Sequence, residues 1–228
     1  MQRLIITGKK TLNGKIIISG SKNASLPILA ATILSDKKII LRNVPLVKDV
    51  FTMVELLNFI GSKIIINKLK KQIIIFPKKK LKSFTAPYRL LKTMRAGILV
   101  LGPLLSRFKK AKVSLPGGCA IGARPVDLHI SVLRQLGANI KIKNGYIIAS
   151  ALKGLKGGQI NIPKISVGAT ESAILSSVFA NKDTTIKNCA VEPEIINLIN
   201  FLKSLGVHIE VKKRTIKVYK TKESFFLP

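Results

Sequence analysis

Leu56-Leu-Asn-Phe-Ile-Gly61-Ser-Lys-Ile-Ile-Ile, Val132-Leu-Arg-Gln-Leu-Gly137-Ala-Asn-Ile-Lys-Ile and Phe201-Leu-Lys-Ser-Leu-Gly206-Val-His-Ile-Glu-Val are three versions of one pattern. In each, an apolar helix end meets a glycine suited to a left-handed C-cap, and a strand follows at once. A second short strand comes next, at Gln72 to Phe76, Gly145 to Ala149 and Thr215 to Tyr219. The spacer between the paired strands is polar and lysine-rich or contains Asn144-Gly145, which is hairpin chemistry. Upstream of each glycine the pattern predicts a more apolar helix and then a strand. These are Ser25 to Leu34 with Lys38 to Leu41, Leu90 to Leu105 with Ala111 to Leu115, and Ala169 to Ala180 with Thr184 to Lys187. An acid opens each following helix, Asp49, Asp127 and Glu194, where it complements the helix dipole.

The units run roughly 22–76, 93–149 and 168–219, each reading as helix, strand, helix, strand, strand. A repeat this long with mixed elements predicts an α/β domain closed with pseudo-threefold symmetry. The upstream helices are apolar nearly all round and are expected inside, with the sheets outside. The competing reading is an accidental likeness of short βα patterns.

Composition fits a globular chain: 228 residues with 47% hydrophobic side chains can bury a sizeable core. The longest apolar run, Ala96 to Leu105, is broken by Gly102 and Pro103 and is too short to span a bilayer. The N-terminal residues hold no signal-peptide core. A soluble, cytoplasmic protein without a membrane partner is expected. Cys119 and Cys189 make neither a disulfide framework nor a zinc site, and neither a metal nor a cofactor is expected. Cys189, after a strand-like run, reads as a small buried hydrophobe. The formal net charge is +30. Lysines are scattered rather than clustered and aromatics are only 5%, so a nucleic-acid partner is not expected. Lysine and isoleucine share A/T-rich codons, which makes genome drift the blander account; a general preference for anionic small ligands is the remaining one.

The chemistry concentrates in Leu115-Pro-Gly-Gly-Cys119-Ala-Ile-Gly-Ala-Arg124-Pro-Val-Asp127-Leu-His129. This segment holds a thiol, a guanidinium, a carboxylate and an imidazole. Gly117, Gly118 and Gly122 let backbone N–H groups approach an anion. His129 reads better as a satisfied structural histidine than as a base. Asp127 is equally a helix-opening acid or a ligand-ordering group.

Four motifs carry a family resemblance: Ser19-Gly-Ser-Lys22-Asn23-Ala24, Leu91-Lys-Thr-Met-Arg95-Ala96, the Cys119 to His129 segment, and Lys164-Ile-Ser166-Val167-Gly168-Ala-Thr170. From about Leu4 to about Val218 the chain resembles the N-terminal part of the UDP-N-acetylglucosamine enolpyruvyl transferases, the first committed enzymes of peptidoglycan synthesis. The resemblance implies the inverse α/β barrel-like enolpyruvyl transferase fold. It implies transfer of the enolpyruvyl group of phosphoenolpyruvate to the sugar 3-hydroxyl, with phosphate leaving, by addition and then elimination. The shikimate-pathway enolpyruvyl transferase is a fold relative not expected to carry the thiol loop.

By this resemblance Cys119 is the general acid, and a thiol among cations would be acidified and open to alkylation by epoxides such as fosfomycin. Lys22, catalytic by the same resemblance, and Arg124 would hold phosphoenolpyruvate, with Asn23 beside them and Lys48 near the phosphate end. Arginine grips phosphate with two prongs, lysine as a point charge. The nucleotide sugar would be met by Arg95, by the run Arg124, Pro125, Val126, Asp127 and Leu128, and by the run Lys164, Ile165, Ser166, Val167 and Gly168. Backbone groups at Ser166 to Gly168, at a helix start, suit an anion.

Two departures stand out. Position 99 is leucine where some relatives carry a large aromatic, so a looser fit near the nucleotide is expected. The family continues into a second domain that supplies the general base for the sugar hydroxyl and further arginines. The resemblance thus divides this chain into residues 1–19, a strand segment about Leu4 to Gly8 and its sequel belonging to that second domain; 20–220, the transferase domain; and 221–228, a divergent tail. A separately encoded C-terminal half is then a candidate partner, and a catalytically silent remnant is the alternative reading.

Overall fold

The computed structural model describes residues 3–9, 11–117 and 126–221. The first repeat comprises α1 (Lys22–Ala31), extended by a 3-10 turn at Thr32–Leu34, then β1 (Ile39–Leu41), α2 (Lys48–Ile60), β2 (Lys63–Asn67) and β3 (Gln72–Phe76). The second comprises β4 (Thr85–Ala86), α3 (Tyr88–Leu91), a 3-10 segment Arg95–Val100, α4 (Leu101–Phe108), β5 (Lys110–Ser114), α5 (Asp127–Gln135), β6 (Asn139–Lys143) and β7 (Tyr146–Ser150). The third comprises β8 (Gly158–Asn161), α6 (Val167–Ser177), β9 (Thr184–Lys187), α7 (Pro193–Ser204), β10 (Ile209–Lys212) and β11 (Thr215–Val218).

The capping glycines behave as their positions predict. Gly61, Gly137 and Gly206 all take positive φ, at 133°, 89° and 98°, as they end α2, α5 and α7. Asn144 and Gly145 are both left-handed, which closes the β6–β7 hairpin with the twist its strands need.

The strands form three separate sheets, in the orders β1-β3-β2, β4-β5-β7-β6 and β8-β9-β11-β10. Each repeat contributes an antiparallel hairpin whose second strand pairs with the strand ahead of it. In the second and third sheets a further strand, β4 or β8, adds in parallel to β5 or β9. The sequence reading missed both. Among the described residues the first sheet has no such fourth strand.

The helices preceding β1, β5 and β9 sit inside and the sheets lie outside them. Nine of the eleven residues of α6 are buried, including four serines and threonines and one glutamate. Such a helix exposes no polar face, so its hydroxyls bond inward: Ser176 and Ser177 donate to the carbonyls of Ser172 and Ala173. The sheets bury alternate residues, Ile73 and Ile75 on β3 for example. Each such isoleucine contributes about 1.5–3 kcal/mol by leaving water.

Two expectations are corrected. The single helix read over Leu90 to Leu105 is broken into three pieces. Gly97 lies so close to Leu91 that an added Cβ would come within 2.7 Å of its Cγ, and this close fold-back turns the chain between α3 and α4. Helix α1 begins at Lys22 rather than Ser25, because Ser21 Oγ accepts from Ala24 N–H and supplies the cap. The segment Leu4 to Gly8, expected to belong to a second domain, pairs with no sheet here, and Leu4, Ile5 and Ile6 are exposed. A strand is held by its partner's main chain, and apolar content alone does not make one.

Arg107, at the end of α4, staples the second repeat to the first. It donates to the carbonyls of Ile33 (2.7 Å) and Ser35 (2.9 Å) and pairs with the buried carboxylate of Asp36. Cys189 is fully buried, its thiol donating to Ile186, and burial pushes its pKa up to about 11, as suits an inert thiol. No helix among the described residues is long and apolar enough to cross a membrane.

Candidate functional site

Two cavities lie side by side where the inner helices begin. The first, of about 360 Å³, is bordered by Arg95, Pro116, Val126, His129, Ser166–Gly168 and Glu171. The second, of about 290 Å³, is bordered by Asn23, Leu26 and Pro27 of α1 and by Glu194 of α7. Ala96, Leu99, Val167 and Glu171 belong to both and form the wall between them.

The local sequence explains this arrangement. Ser166 caps α6, its Oγ accepting from Ala169 N–H at 3.3 Å. The first N–H groups of the helix have no intrahelical partner and face outward with the positive end of its dipole. The short 3-10 segment carries Arg95 alongside, with Nε and Nη1 buried. A guanidinium beside a helix start makes the first cavity favourable to an anion.

His129 closes one side. Its Nδ1 lies 2.7 Å from Ser172 Oγ, so α5 is bonded to α6 through the ring. A Cβ at position 168 would come within 2.9 Å of His129 Cε1; only glycine lets the imidazole approach the helix start this closely. Burial lowers its pKa to about 4, so the ring is neutral at physiological pH and adds no cation to the cavity. This agrees with the structural reading of His129.

Glu171 is the group that sequence reasoning missed. It is only 5% exposed, one turn beyond the anion-favouring end of α6. Burial foremost, and the charge of Glu194 second, push its carboxyl up to about 8. Its signal in the sequence was an ionisable residue inside a helix otherwise free of charge. Glu194 was read only as a helix-opening acid, and it is one, in the first turn of α7.

The other expected site residues fall in several places. Arg95, Val126, Ser166, Val167 and Gly168 meet in the first cavity, and Asn23 reaches the second. Lys22 is half-exposed and pairs with Asp49 at 3.0 Å, linking the first turns of α1 and α2. Lys48, Asp127, Lys164 and Ile165 are exposed, Leu128 is half-buried, and none of these five lines either cavity. Leu99 stands in the shared wall. Cys119, Arg124 and Pro125 lie outside the described residues.

Comparison with known proteins is consistent with this geometry. The family model described as EPSP synthase (3-phosphoshikimate 1-carboxyvinyltransferase) matches residues 6–224. The chain is 57% identical over 219 residues to the UDP-N-acetylglucosamine 1-carboxyvinyltransferase of Pelagibacter ubique, covering 96% of this chain and 52% of that protein. The proteins of the same name from Rickettsia akari and Coxiella burnetii are 53% and 51% identical, each over 92% of this chain and 50% and 48% of their own lengths. The chain thus spans about half the length of the curated relatives it matches. Among solved structures it resembles the enolpyruvyl transferase NikO from Streptomyces tendae, with TM-score 0.78 and 18% identity over 93% of this chain and 49% of that one. It also resembles EPSP synthase from Acinetobacter baumannii, with TM-score 0.75 and 17% identity over 92% and 47%. These two likenesses speak for the fold. The family model and the 57% identical relative together place this chain in the EPSP synthase (3-phosphoshikimate 1-carboxyvinyltransferase) family.

Proposed function

We propose that this chain serves the transfer of an enolpyruvyl group from phosphoenolpyruvate to the 3-hydroxyl of UDP-N-acetylglucosamine, releasing phosphate, in cytoplasmic peptidoglycan synthesis and hence in cell-wall growth and division. The observation that carries the reading is the first cavity, where Arg95 adjoins the start of α6, in a chain whose curated relatives bear that activity in their names. Arg95 and the N–H groups at Val167 and Gly168 meet the diphosphate, with Val126 beside them. Lys164, Ile165, Ser166, Asp127 and Leu128 flank the nucleotide from the rim.

Phosphoenolpyruvate is dianionic or more and needs fixed cations. Lys22 and Arg124 take that role, with Asn23 in the adjoining cavity and Lys48 near the phosphate. The 3.0 Å pair with Asp49 keeps the Lys22 ammonium in place until the more strongly charged ligand arrives. Cys119 delivers the proton to the methylene carbon, and its thiolate is the group that fosfomycin alkylates. Such a general acid contributes about 10²–10⁴-fold.

The sugar-hydroxyl base and the further arginines expected of the family belong to a second half, which the exposed apolar side chains Leu4, Ile5, Ile6, Ile16, Ile17 and Ile18 are suited to meet. The test is phosphate release from phosphoenolpyruvate and UDP-N-acetylglucosamine by the 228-residue chain, alone and co-expressed with the C-terminal half of the Pelagibacter relative. Release is expected only with the added half, and loss of release in Cys119→Ala. Turnover by the mixture that survives Cys119→Ala would refute the role of the thiol. No turnover and no nucleotide-sugar binding would favour the silent remnant.

A further inference from the structure

We infer that Glu171 is a ligand-binding residue that works as a neutral carboxylic acid, donating a hydrogen bond from the wall shared by the two cavities to an oxygen of a bound anionic nucleotide sugar. This rests on the functional reading above and adds to it a binding residue and a coupling between occupancy and protonation.

The geometry carries the inference. Glu171 is the one ionisable side chain that borders both cavities among their described linings. It sits on a buried helix, so its carboxyl has almost no access to bulk water. Among the described residues Glu171 takes part in no salt bridge. Arg95, from the 3-10 segment, borders the first cavity together with Glu171 and is engaged in an interaction of its own, and Glu194, from α7, borders the second. His129, from α5, is bonded to Ser172 and neutral. Arg107 of α4 is committed to Asp36. Asp127 and Arg134 of α5, Lys187 of β9 and Lys203 of α7 are exposed.

A carboxylate here would meet a second carboxylate on one side and the ligand's phosphates on the other. Protonated, it becomes a donor aimed at a ligand rich in acceptor oxygens. The proton comes from solvent. When an anion fills the cavity beside it, the free-energy cost of ionising Glu171 rises further, so the fraction still ionised takes up a proton. Near pH 8 that fraction is about one half, because its pKa stands at about 8.

The test is calorimetric titration of the full chain with UDP-N-acetylglucosamine at pH 8, in buffers of different ionisation enthalpy, with the dissociation constant also measured at pH 7 and pH 9. The wild type should take up about half a proton per ligand bound, and its affinity should fall about tenfold from pH 7 to pH 9. In Glu171→Gln the uptake attributable to this residue should vanish and the affinity should become flat over that range. In Glu171→Leu, which is equally uncharged but cannot donate, affinity should drop about three- to tenfold below Glu171→Gln. Uptake of the same size in wild type and Glu171→Gln, or equal affinities for the glutamine and leucine variants, would overturn the role of Glu171 while leaving the functional reading standing. Failure of the wild type to bind the nucleotide sugar at any of these pH values would overturn both. Should a variant not fold, a pH-independent wild-type affinity would still refute the inference.

Discussion

Removing the charge of Glu171 should stabilise the ligand-free protein, and increasingly so as pH rises. Its carboxyl ionises at about 8 in the folded chain against an ordinary 4.5. Between those values the folded state holds a proton that the unfolded state has released. Stability must therefore fall as pH rises through this window, by about 1.4 kcal/mol per pH unit. The cost reaches about 3 kcal/mol at pH 7 and levels off near 5 kcal/mol above pH 8. Glutamine has nearly the same shape and never ionises. The perturbation is Glu171→Gln, and the assay is urea unfolding followed by far-ultraviolet circular dichroism at pH 5, 7 and 9, which suits a chain without tryptophan. The stability advantage of the variant should grow by about 2.5 kcal/mol between pH 5 and 7 and by about 4 kcal/mol in all by pH 9. A difference that stays constant across these pH values would show that Glu171 ionises normally, and the reasoning about the shared cavity wall would fail with it.

Arg107→Ala should cost about 3–5 kcal/mol, because it strands a buried carboxylate and two carbonyls, while Arg107→Met combined with Asp36→Leu should recover most of that loss; denaturant midpoints that move equally in both variants would refute the staple. Ser166→Ala should remove the cap of α6 at a cost of about 1 kcal/mol, lowering the melting temperature by roughly 2–4 °C, and Ser21→Ala should do the same at α1; an unchanged melting temperature would show that other bonds hold these helix starts.

Much of the architecture was legible because it is written three times. Gly61, Gly137 and Gly206 each mark a helix end that admits left-handed backbone, and one such signal alone would have said little. What stayed hidden depends on partners far along the chain. Strands β4 and β8 are short and unremarkable in composition, and become strands only because β5 and β9 present a free edge to them. Leu4 to Gly8 is the converse, a strand-like run with no edge to join. At the site, Arg95 and Ser166 to Gly168 were readable from the motifs, and the fold brings them to one cavity. Glu171 was not readable as a ligand group. Its importance arises from burial and from Glu194, which lies on another helix.

Among the described residues the first sheet has one strand fewer than its two counterparts, and β1 leaves its outer main-chain groups without a strand partner. Nearby in sequence, Ile16, Ile17 and Ile18 are exposed. In solution these are the ingredients of self-association, and the formal charge of +30 is what opposes it. Colloidal behaviour therefore turns on the ionic atmosphere: in dilute buffer the molecules repel one another at long range, while near 0.1 M salt that repulsion shrinks to about 10 Å and the unfinished rim can find its like on a neighbour. An open sheet edge thus bears on how the protein keeps company as well as on how it holds its shape.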